Sequence, residues 1–278
     1  LGLGTTTNHF TPQTVNLGPG RTAISLALGT YFTCALLDDG SVSCWGEGTS
    51  GQLGLGNTNS ALLPNTVSLG GNTVASINAG ASSICAIFSD GGLACWGYIP
   101  GQNSGISQSI PQLISLGTGR TAISVGVGTG TLCVILDNGE LKCWGSNSVG
   151  QLGIGNTNYY PNPQLVDLGI GKSAVSIALG AYHTCAIIDD DSVMCWGRNS
   201  EGQLGDGTYT SSIAPITVEL DDSPSGSGVH PVNIFAKGYA TCLTFSDTSL
   251  KCWGKNYWNW MSTDLDGQTV YNLSLIHI

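Results

Sequence analysis

Ten cysteines are the residues of this 278-residue chain best suited to chemistry, and they form five pairs with one spacing. Zinc ribbons and dithiol redox sites separate their cysteines by about two to four residues, whereas each pair here encloses nine. That spacing suits neither a tetrahedral metal site nor a redox-active dithiol. Disulfide formation remains, with buried free cysteines as the alternative. The pairs are Cys34 and Cys44, Cys85 and Cys95, Cys133 and Cys143, Cys185 and Cys195, and Cys242 and Cys252.

The segment between the cysteines must bring the two sulfur atoms together. Asp-Gly or Asn-Gly near the middle of three of the five segments disfavours the twin Cys-x9-Cys helical hairpin, so we predict a β-hairpin. In TCALLDDGSVSC, Leu37 then faces Ser41 across a three-residue loop that ends in Gly40. The same register makes Cys34 and Cys44 directly opposed, with a Cα separation of about 4.5 Å that a disulfide accepts.

We therefore expect one bridge in each hairpin, which implies an oxidising compartment. The loop glycine is present as Gly40, Gly91 and Gly139, but Thr248 replaces it in the last hairpin. A β-branched residue disfavours positive φ, so the last hairpin is expected to use another turn.

The hairpin belongs to a larger unit that recurs about every 50 residues. Each unit has a Pro-containing string, then an apolar alternation closed by Gly such as TAISLALG, then the cysteine hairpin. Cys-Trp-Gly ends the hairpin, and a Gly-rich loop such as GQLG follows in most units. No helical periodicity occurs, and four short strands per unit are typical of one β-propeller blade.

The string G-x-x-x-T-C-A-L-x-D-x-G-x-x-x-C-W-G, followed by G-Q-L-G-x-G-x-T, resembles the regulator of chromosome condensation repeat over residues 1 to about 255. The family's His before Thr-Cys is kept only at His183. The resemblance implies an all-β, seven-bladed propeller, so five units indicate an incomplete arc of about five four-stranded blades. A smaller closed ring is the alternative. The paired cysteines resemble the exported, cysteine-rich branch of the family. The tryptophans after the second cysteines are expected to pack between blades: Trp45, Trp96, Trp144, Trp196 and Trp253.

We assign residues 1–272 to the propeller repeats. The start of the chain aligns with residues 52–70, which suggests that the sequence begins partway through an earlier repeat of a longer protein. Residues 273–278, LSLIHI, resemble the translation of a sequencing adaptor and are expected to lie outside the fold.

Candidate catalytic and metal-binding groups are sparse. None of the four histidines forms a metal pair with another, and a His183–Cys185 dyad would require a broken bridge. Aspartate clusters at the hairpin tips fit turns better than calcium loops, and the Gly-x-Gly fragments lack the Lys-Ser/Thr and helix of a phosphate loop. We therefore predict no catalytic residue, no metal site and no cofactor.

Charge and hydropathy exclude some partners. The chain carries 8 Lys and Arg against 18 Asp and Glu, a formal charge of −10, which disfavours nucleic acid. No apolar run is long enough to insert into a membrane. Aromatic residues outside the repeat pattern are the candidate partner-binding residues, because binding groups concentrate on loops. They are Tyr159, Tyr160, Tyr209, Tyr257 and Trp258.

These observations favour a non-catalytic recognition or structural scaffold, secreted or at the cell surface, that binds a protein or glycan partner through its blade loops. One alternative is a secreted enzyme inhibitor, since a β-lactamase inhibitor protein uses the same propeller. A carbohydrate-active enzyme would need two facing carboxylates at one mouth of the propeller. Guanine-nucleotide exchange on a small nuclear GTPase, which the family name suggests, is opposed by the acidic composition and the paired cysteines.

Overall fold

The computed structural model describes residues 1–98, 107–220 and 228–256, together with the backbone of two short strands at 261–263 and 269–271. Every regular element within these residues is a β-strand. The strands form four four-stranded antiparallel sheets, one three-stranded sheet and a separate two-stranded pair. This part of the chain contains no helix of the length and hydrophobicity that crossing a membrane requires.

Each of the five larger sheets is one blade, and its strands follow one another in sequence. Blade 1 contains β1 (Ala23–Leu28), β2 (Phe32–Leu37), β3 (Val42–Gly46) and β4 (Ala61–Thr66). Blade 2 contains β5 (Val74–Ala79), β6 (Ser83–Phe88), β7 (Leu93–Tyr98) and β8 (Ser107–Leu113). Blade 3 contains β9 (Ala122–Val127), β10 (Thr131–Leu136), β11 (Leu141–Gly145) and β12 (Tyr160–Leu165).

Blade 4 contains β13 (Ala174–Leu179), β14 (His183–Ile188), β15 (Val193–Gly197) and β16 (Ser212–Thr217). Blade 5 contains β17 (Pro231–Lys237), β18 (Ala240–Phe245) and β19 (Leu250–Gly254), and the separate pair is β20 (Met261–Thr263) with β21 (Thr269–Tyr271).

The blades follow one another around an axis lined by their first strands. β1 contacts β5, β5 contacts β9, β9 contacts β13, and β13 contacts β17. The fourth strands form the outer edges and carry Pro64, Pro111, Pro163 and Pro215, at positions where a missing N–H disturbs a sheet least. Among the described residues, no strand pairing joins blade 5 to blade 1. The prediction of an all-β propeller arc of about five blades is confirmed.

The cysteine hairpins have the register that places the two sulfur atoms opposite each other. Cys34 pairs with Cys44 across β2 and β3, and the Leu37 N–H donates to the Ser41 carbonyl at 2.9 Å. Gly40 closes the turn by donating to the Leu37 carbonyl at 2.9 Å. All five pairs form disulfides within their own hairpins, each with a Cα–Cα distance of 4.1 Å.

The fifth hairpin uses the same turn as the others, so the prediction of a different turn there is wrong. Thr248 has φ 70° and donates its N–H to the Phe245 carbonyl at 3.0 Å, the position and bond that Gly40 has in blade 1. The Asp247 carboxylate accepts hydrogen bonds from the Ser249 N–H at 2.9 Å and its hydroxyl at 2.6 Å. These side-chain bonds hold the turn and offset the cost of a left-handed threonine.

The hydrophobic core lies between neighbouring blades. Trp96, Trp144 and Trp196 are fully buried, each in a cluster built from two consecutive blades. A Cβ on Gly153, in the loop of the preceding blade, would lie 2.6 Å from Trp196 Nε1, which shows how closely the indole approaches that backbone. Trp196 Nε1 donates to the Gln151 carbonyl at 3.0 Å, and Trp253 repeats the bond to Gln203 at 2.9 Å.

The first residues of the chain pack on blade 1 as an interblade loop does elsewhere. A Cβ on Gly2 would lie 2.9 Å from Trp45 Nε1. Gly4 N–H donates to the Leu62 carbonyl at 2.9 Å, as Gly155 N–H does to Ile213 at 2.9 Å. Gly2 and Gly4 therefore make on blade 1 the contacts that interblade loops make on later blades, while residues 273–278 lie outside the described part of the chain.

Candidate functional site

The connections between strands form two faces of the arc. The hairpin face carries the cysteine hairpin turns, such as residues 38–41, and the segments that lead to the next blade, such as 67–73. The loop face carries the short links between first and second strands, such as 29–31, and the long segments after the third strands, such as 47–60. A strand of six residues spans about 20 Å, which separates the two faces.

Three cations of the hairpin face pair with carboxylates, while Lys142 Nζ donates to the Leu116 carbonyl at 3.0 Å. Arg21 lies 2.7 Å from Asp39, Arg120 lies 3.4 Å from Asp137, and Lys172 lies 2.8 Å from Asp190. Hydrogen bonds from Lys172 and Ser192 lower the pKa of Asp190 to about 2. Such exposed pairs contribute little to stability, but they leave these three cations with carboxylate partners. Within residues 1–98, 107–220 and 228–256, no group of three His, Cys, Asp or Glu side chains could hold a metal ion.

The loop face repeats one backbone contact in every blade. The residue after Cys-Trp-Gly donates its N–H to the carbonyl of the residue three positions before the first cysteine. We call these two residues the paired loop positions. They are Tyr31 with Glu47 (2.9 Å), Ser82 with Tyr98 (2.8 Å), Gly130 with Ser146 (2.8 Å), Tyr182 with Arg198 (2.9 Å) and Tyr239 with Lys255 (2.9 Å). The backbone frame is constant, the first position is tyrosine in three of the five blades, and the residue after Cys-Trp-Gly differs in all five.

Blades 4 and 5 combine their paired loop positions into one site. The Tyr182 and Tyr239 rings stack with centroids 6.1 Å apart and an interplanar angle of 28°. The Arg198 guanidinium carbon lies 5.9 Å from the Tyr182 centroid and 5.3 Å from that of Tyr239. Lys255 Nζ lies 5.8 Å from the Tyr239 centroid and 3.3 Å from a Glu201 carboxylate oxygen. We call these five residues the tyrosine–arginine cluster.

Arg198 has the hydrogen-bonding capacity that a ligand could use. Its Nε donates to the Ser200 hydroxyl at 2.8 Å, which fixes one edge of the guanidinium. Among the described residues, no carboxylate lies within 4.0 Å of Arg198, and none accepts a hydrogen bond from its two terminal nitrogens. A guanidinium has five N–H donors, so the terminal nitrogens remain available.

The aromatic residues singled out from the sequence take different positions. Tyr159 and Tyr209 are 49% and 77% exposed. Burial and the nearby Tyr98 raise the pKa of Tyr159. Tyr160 instead packs against the core between blades 3 and 4, and its hydroxyl accepts a hydrogen bond from Asn156 at 3.3 Å. Tyr257 and Trp258 lie outside the described residues.

Sequence reasoning missed Tyr182, Tyr239 and Arg198. The signal that could have found them is positional. Tyrosine recurs three positions before the first cysteine in three of the five units, and the residue directly after the fixed Cys-Trp-Gly differs in all five.

His183 lies beneath this site, between blades 4 and 5. It is 1% exposed, and its Nε2 lies 2.8 Å from the Thr241 hydroxyl. Thr241 donates its single hydroxyl proton to the Gln203 carbonyl at 3.2 Å, so the His183 Nε2 must donate and Nδ1 carries the lone pair. Nδ1 has no partner, and burial lowers the pKa of His183 to about 4. Cys185 is held in its bridge, so His183 is a packed neutral side chain.

Two family models match the chain, and both are described as the regulator of chromosome condensation (RCC1) repeat. One matches residues 39–87 and 138–187, and the other matches 23–52, 122–151 and 174–203. The chain is 28% identical over 235 residues to the ultraviolet-B receptor UVR8 of Arabidopsis thaliana, covering 83% of this chain and 53% of that protein. It is 31% identical over 222 residues to the human E3 ubiquitin-protein ligase HERC2, covering 79% of this chain and 4% of that protein.

Solved structures share the fold at low sequence identity. Prp20p of Saccharomyces cerevisiae superposes with a TM-score of 0.71 at 22% identity, covering 89% of this chain and 64% of that one. Human WBSCR16 gives a TM-score of 0.67 at 22% identity over 78% and 56% of the two chains. The ectodomain of the Physcomitrella patens receptor kinase CR4 gives 0.56 at 22% identity over 86% and 54%.

The chain spans about half the length of UVR8 and a small part of HERC2, so the comparison concerns the repeats alone. The matched segments together cover just over half of the chain, and they include blades 1 and 3 and parts of blades 2 and 4. On these repeats and the blades that they form, the chain belongs to the regulator of chromosome condensation repeat family.

Proposed function

We propose that this propeller is a non-catalytic recognition scaffold, secreted or at the cell surface, that binds a protein partner through its loop face. The observation that carries the proposal is the set of paired loop positions, in which one backbone frame presents a different residue after Cys-Trp-Gly in each blade. Loops on a rigid scaffold are where binding residues concentrate, and tyrosine and arginine are enriched among residues that dominate binding energy.

The extracellular part of the proposal rests on the five disulfides. Cytosolic proteins of mesophiles seldom keep structural bridges, because thiols there are held reduced. All ten cysteines are joined within their hairpins, and no free cysteine occurs among the described residues. The fold is compatible with this location, since it also forms the ectodomain of the Physcomitrella patens receptor kinase CR4.

Two of the solved structures with this fold are described together with protein partners. One structure is of yeast RCC1 (Prp20) bound to Kap60, and another is described with binding properties to Gsp1p and histones. Those partners belong to those proteins. A secreted enzyme inhibitor is a second candidate, and the tyrosine–arginine cluster favours it because aromatic side chains converge on one face.

The test compares binding by the two faces. Purified disulfide-bonded protein is screened against a panel of secreted proteins and ectodomains, and any ligand found is then measured with two double variants. Tyr182→Ser with Tyr239→Ser alters the loop face, and serine is already present at the equivalent Ser82. Arg120→Gln with Lys172→Gln alters the hairpin face and serves as the control.

We expect the loop-face variant to lose the ligand and the control to keep it, with both showing the wild-type thermal midpoint within a few degrees. Binding that survives the loop-face changes, or that is lost only in the hairpin-face control, would contradict the proposal.

A further inference from the structure

We infer that the tyrosine–arginine cluster binds a side-chain carboxylate in an acidic segment of the protein partner, with Arg198 as its principal contact. The inference rests on the proposed function and adds the chemistry of the ligand. It concerns Tyr182, Tyr239 and Arg198, with Lys255 and Glu201 at the edge of the site.

The guanidinium of Arg198 is already held in position. Nε donates to the Ser200 hydroxyl at 2.8 Å, and the carbon at its centre lies within 6 Å of both tyrosine centroids, at 5.9 and 5.3 Å. The two terminal nitrogens have no described acceptor, and together they form the planar pair of donors that matches a carboxylate in a bidentate contact. Because part of the side-chain ordering is already complete, less entropy is lost when the ligand binds.

The positive charge at this site favours an anionic ligand, although the chain as a whole carries a net negative charge. Arg21, Arg120 and Lys172 on the hairpin face all have carboxylate partners, whereas Arg198 has none among the described residues. The hairpin-face aspartates lie about 20 Å away across a strand length, which exceeds the Debye length of about 8 Å at physiological salt. The charge of those aspartates is therefore screened at this distance, and the charged groups of the loop face itself govern binding.

Glu201 limits the charge that the site can accommodate. It lies 3.3 Å from Lys255 and offsets that cation, so within the cluster Arg198 supplies the uncompensated positive charge. One unit of positive charge matches a single carboxylate better than a doubly charged phosphate or a polysulfated glycan. An uncharged glycan would use the tyrosine faces and leave the guanidinium without an anion. A tyrosine platform beside one arginine therefore favours an Asp or Glu side chain of a protein.

The test uses synthetic peptides as probes. A fluorescent peptide with a central Asp-Glu segment flanked by apolar residues is titrated with the full chain, and a matched peptide carries Asn and Gln instead. We expect the acidic peptide to bind at least tenfold more tightly, and its affinity to fall as salt rises. Arg198→Gln should weaken acidic-peptide binding about tenfold. Arg198→Lys should weaken binding by less, because lysine keeps the positive charge but lacks the planar pair of donors for a bidentate contact.

Arg120→Gln is the matched control, because it removes an arginine from the hairpin face, and it should bind like the wild type. Equal binding of the two peptides, unchanged binding by Arg198→Gln, or binding of a heparin oligosaccharide in place of the acidic peptide would overturn the inference. All variants are checked for the wild-type thermal midpoint.

The two proposals fail in different ways. If the Tyr182→Ser, Tyr239→Ser variant loses a protein ligand that Arg198→Gln retains, the loop face binds without the carboxylate contact, and only the inference is overturned. If neither change affects the ligand, both are overturned.

Discussion

Acid is expected to weaken the contact between blades 4 and 5 through one histidine. His183 is buried with Nδ1 unpartnered, and burial lowers its pKa from 6.5 to about 4. In the unfolded chain its pKa returns to the ordinary value, so between these limits the unfolded state binds the proton and the folded state does not. The stabilisation is complete above pH about 6.5 and is lost as the pH falls towards about 4.

The size of this loss in the free energy of unfolding follows from the difference between the unfolded and folded pKa of His183. Each pKa unit corresponds to about 1.4 kcal/mol, so the free energy of unfolding should fall by about 3 kcal/mol on account of this residue. Asp190 has a pKa of about 2, so its own contribution is lost only at a lower pH. The histidine effect can therefore be measured at pH 4.5 to 7 with little overlap from that carboxylate.

Urea unfolding of the wild type and His183→Phe across this range isolates the effect. Phenylalanine is chosen because Phe32 occupies the equivalent position of blade 1 and is buried there. The wild type should lose up to about 3 kcal/mol more than the variant on acidification. His230→Gln, at an exposed histidine, should behave as the wild type. Parallel pH profiles for the wild type and His183→Phe would refute the reasoning.

Three further substitutions test the turns and interblade loops by thermal unfolding. Gly153→Ala should destabilise the fold by more than about 2 kcal/mol, because φ is +72° and the new Cβ would lie 2.6 Å from Trp196 Nε1. Gly155→Ala, with φ +77° and open space, should cost only about 1 kcal/mol, and equal losses would contradict the packing described. Thr248→Gly should raise the free energy of unfolding by about 1 kcal/mol, because it relieves a β-branched residue at φ 70°, and a decrease would count against this.

The hairpins were predictable because their register is local. The nine-residue spacing and Gly40 together determine which residues face each other, and neither depends on another blade. Thr248 was not predictable from propensity, since the Asp247 bonds to Ser249 outweigh the preference of threonine.

The loop-face site depends on contacts between blades. Tyr182 and Tyr239 come together only after two units are packed in register, and no spacing along the chain encodes that distance. The difference between Tyr159 and Tyr160 depends on where β12 begins, because neighbouring residues there face different environments. Tyr160 begins the strand and packs inward, while Tyr159 is half exposed.

The most direct test is to map the bridges without reduction. Each hairpin has an aspartate between its cysteines, so a protease that cleaves before aspartate separates the two halves of every pair; the cleavage sites include Asp38, Asp90, Asp137, Asp189 and Asp247. Further cleavage after Glu47 and Arg120 separates the first three hairpins, which have no aspartate between them. For protein purified from an oxidising compartment, we then expect five linked peptide pairs, each joining the two halves of one hairpin and separating only on reduction. Free thiols, or links between cysteines of different blades, would contradict the claim that each blade carries one disulfide within its own hairpin and that the protein functions outside the reducing cytosol.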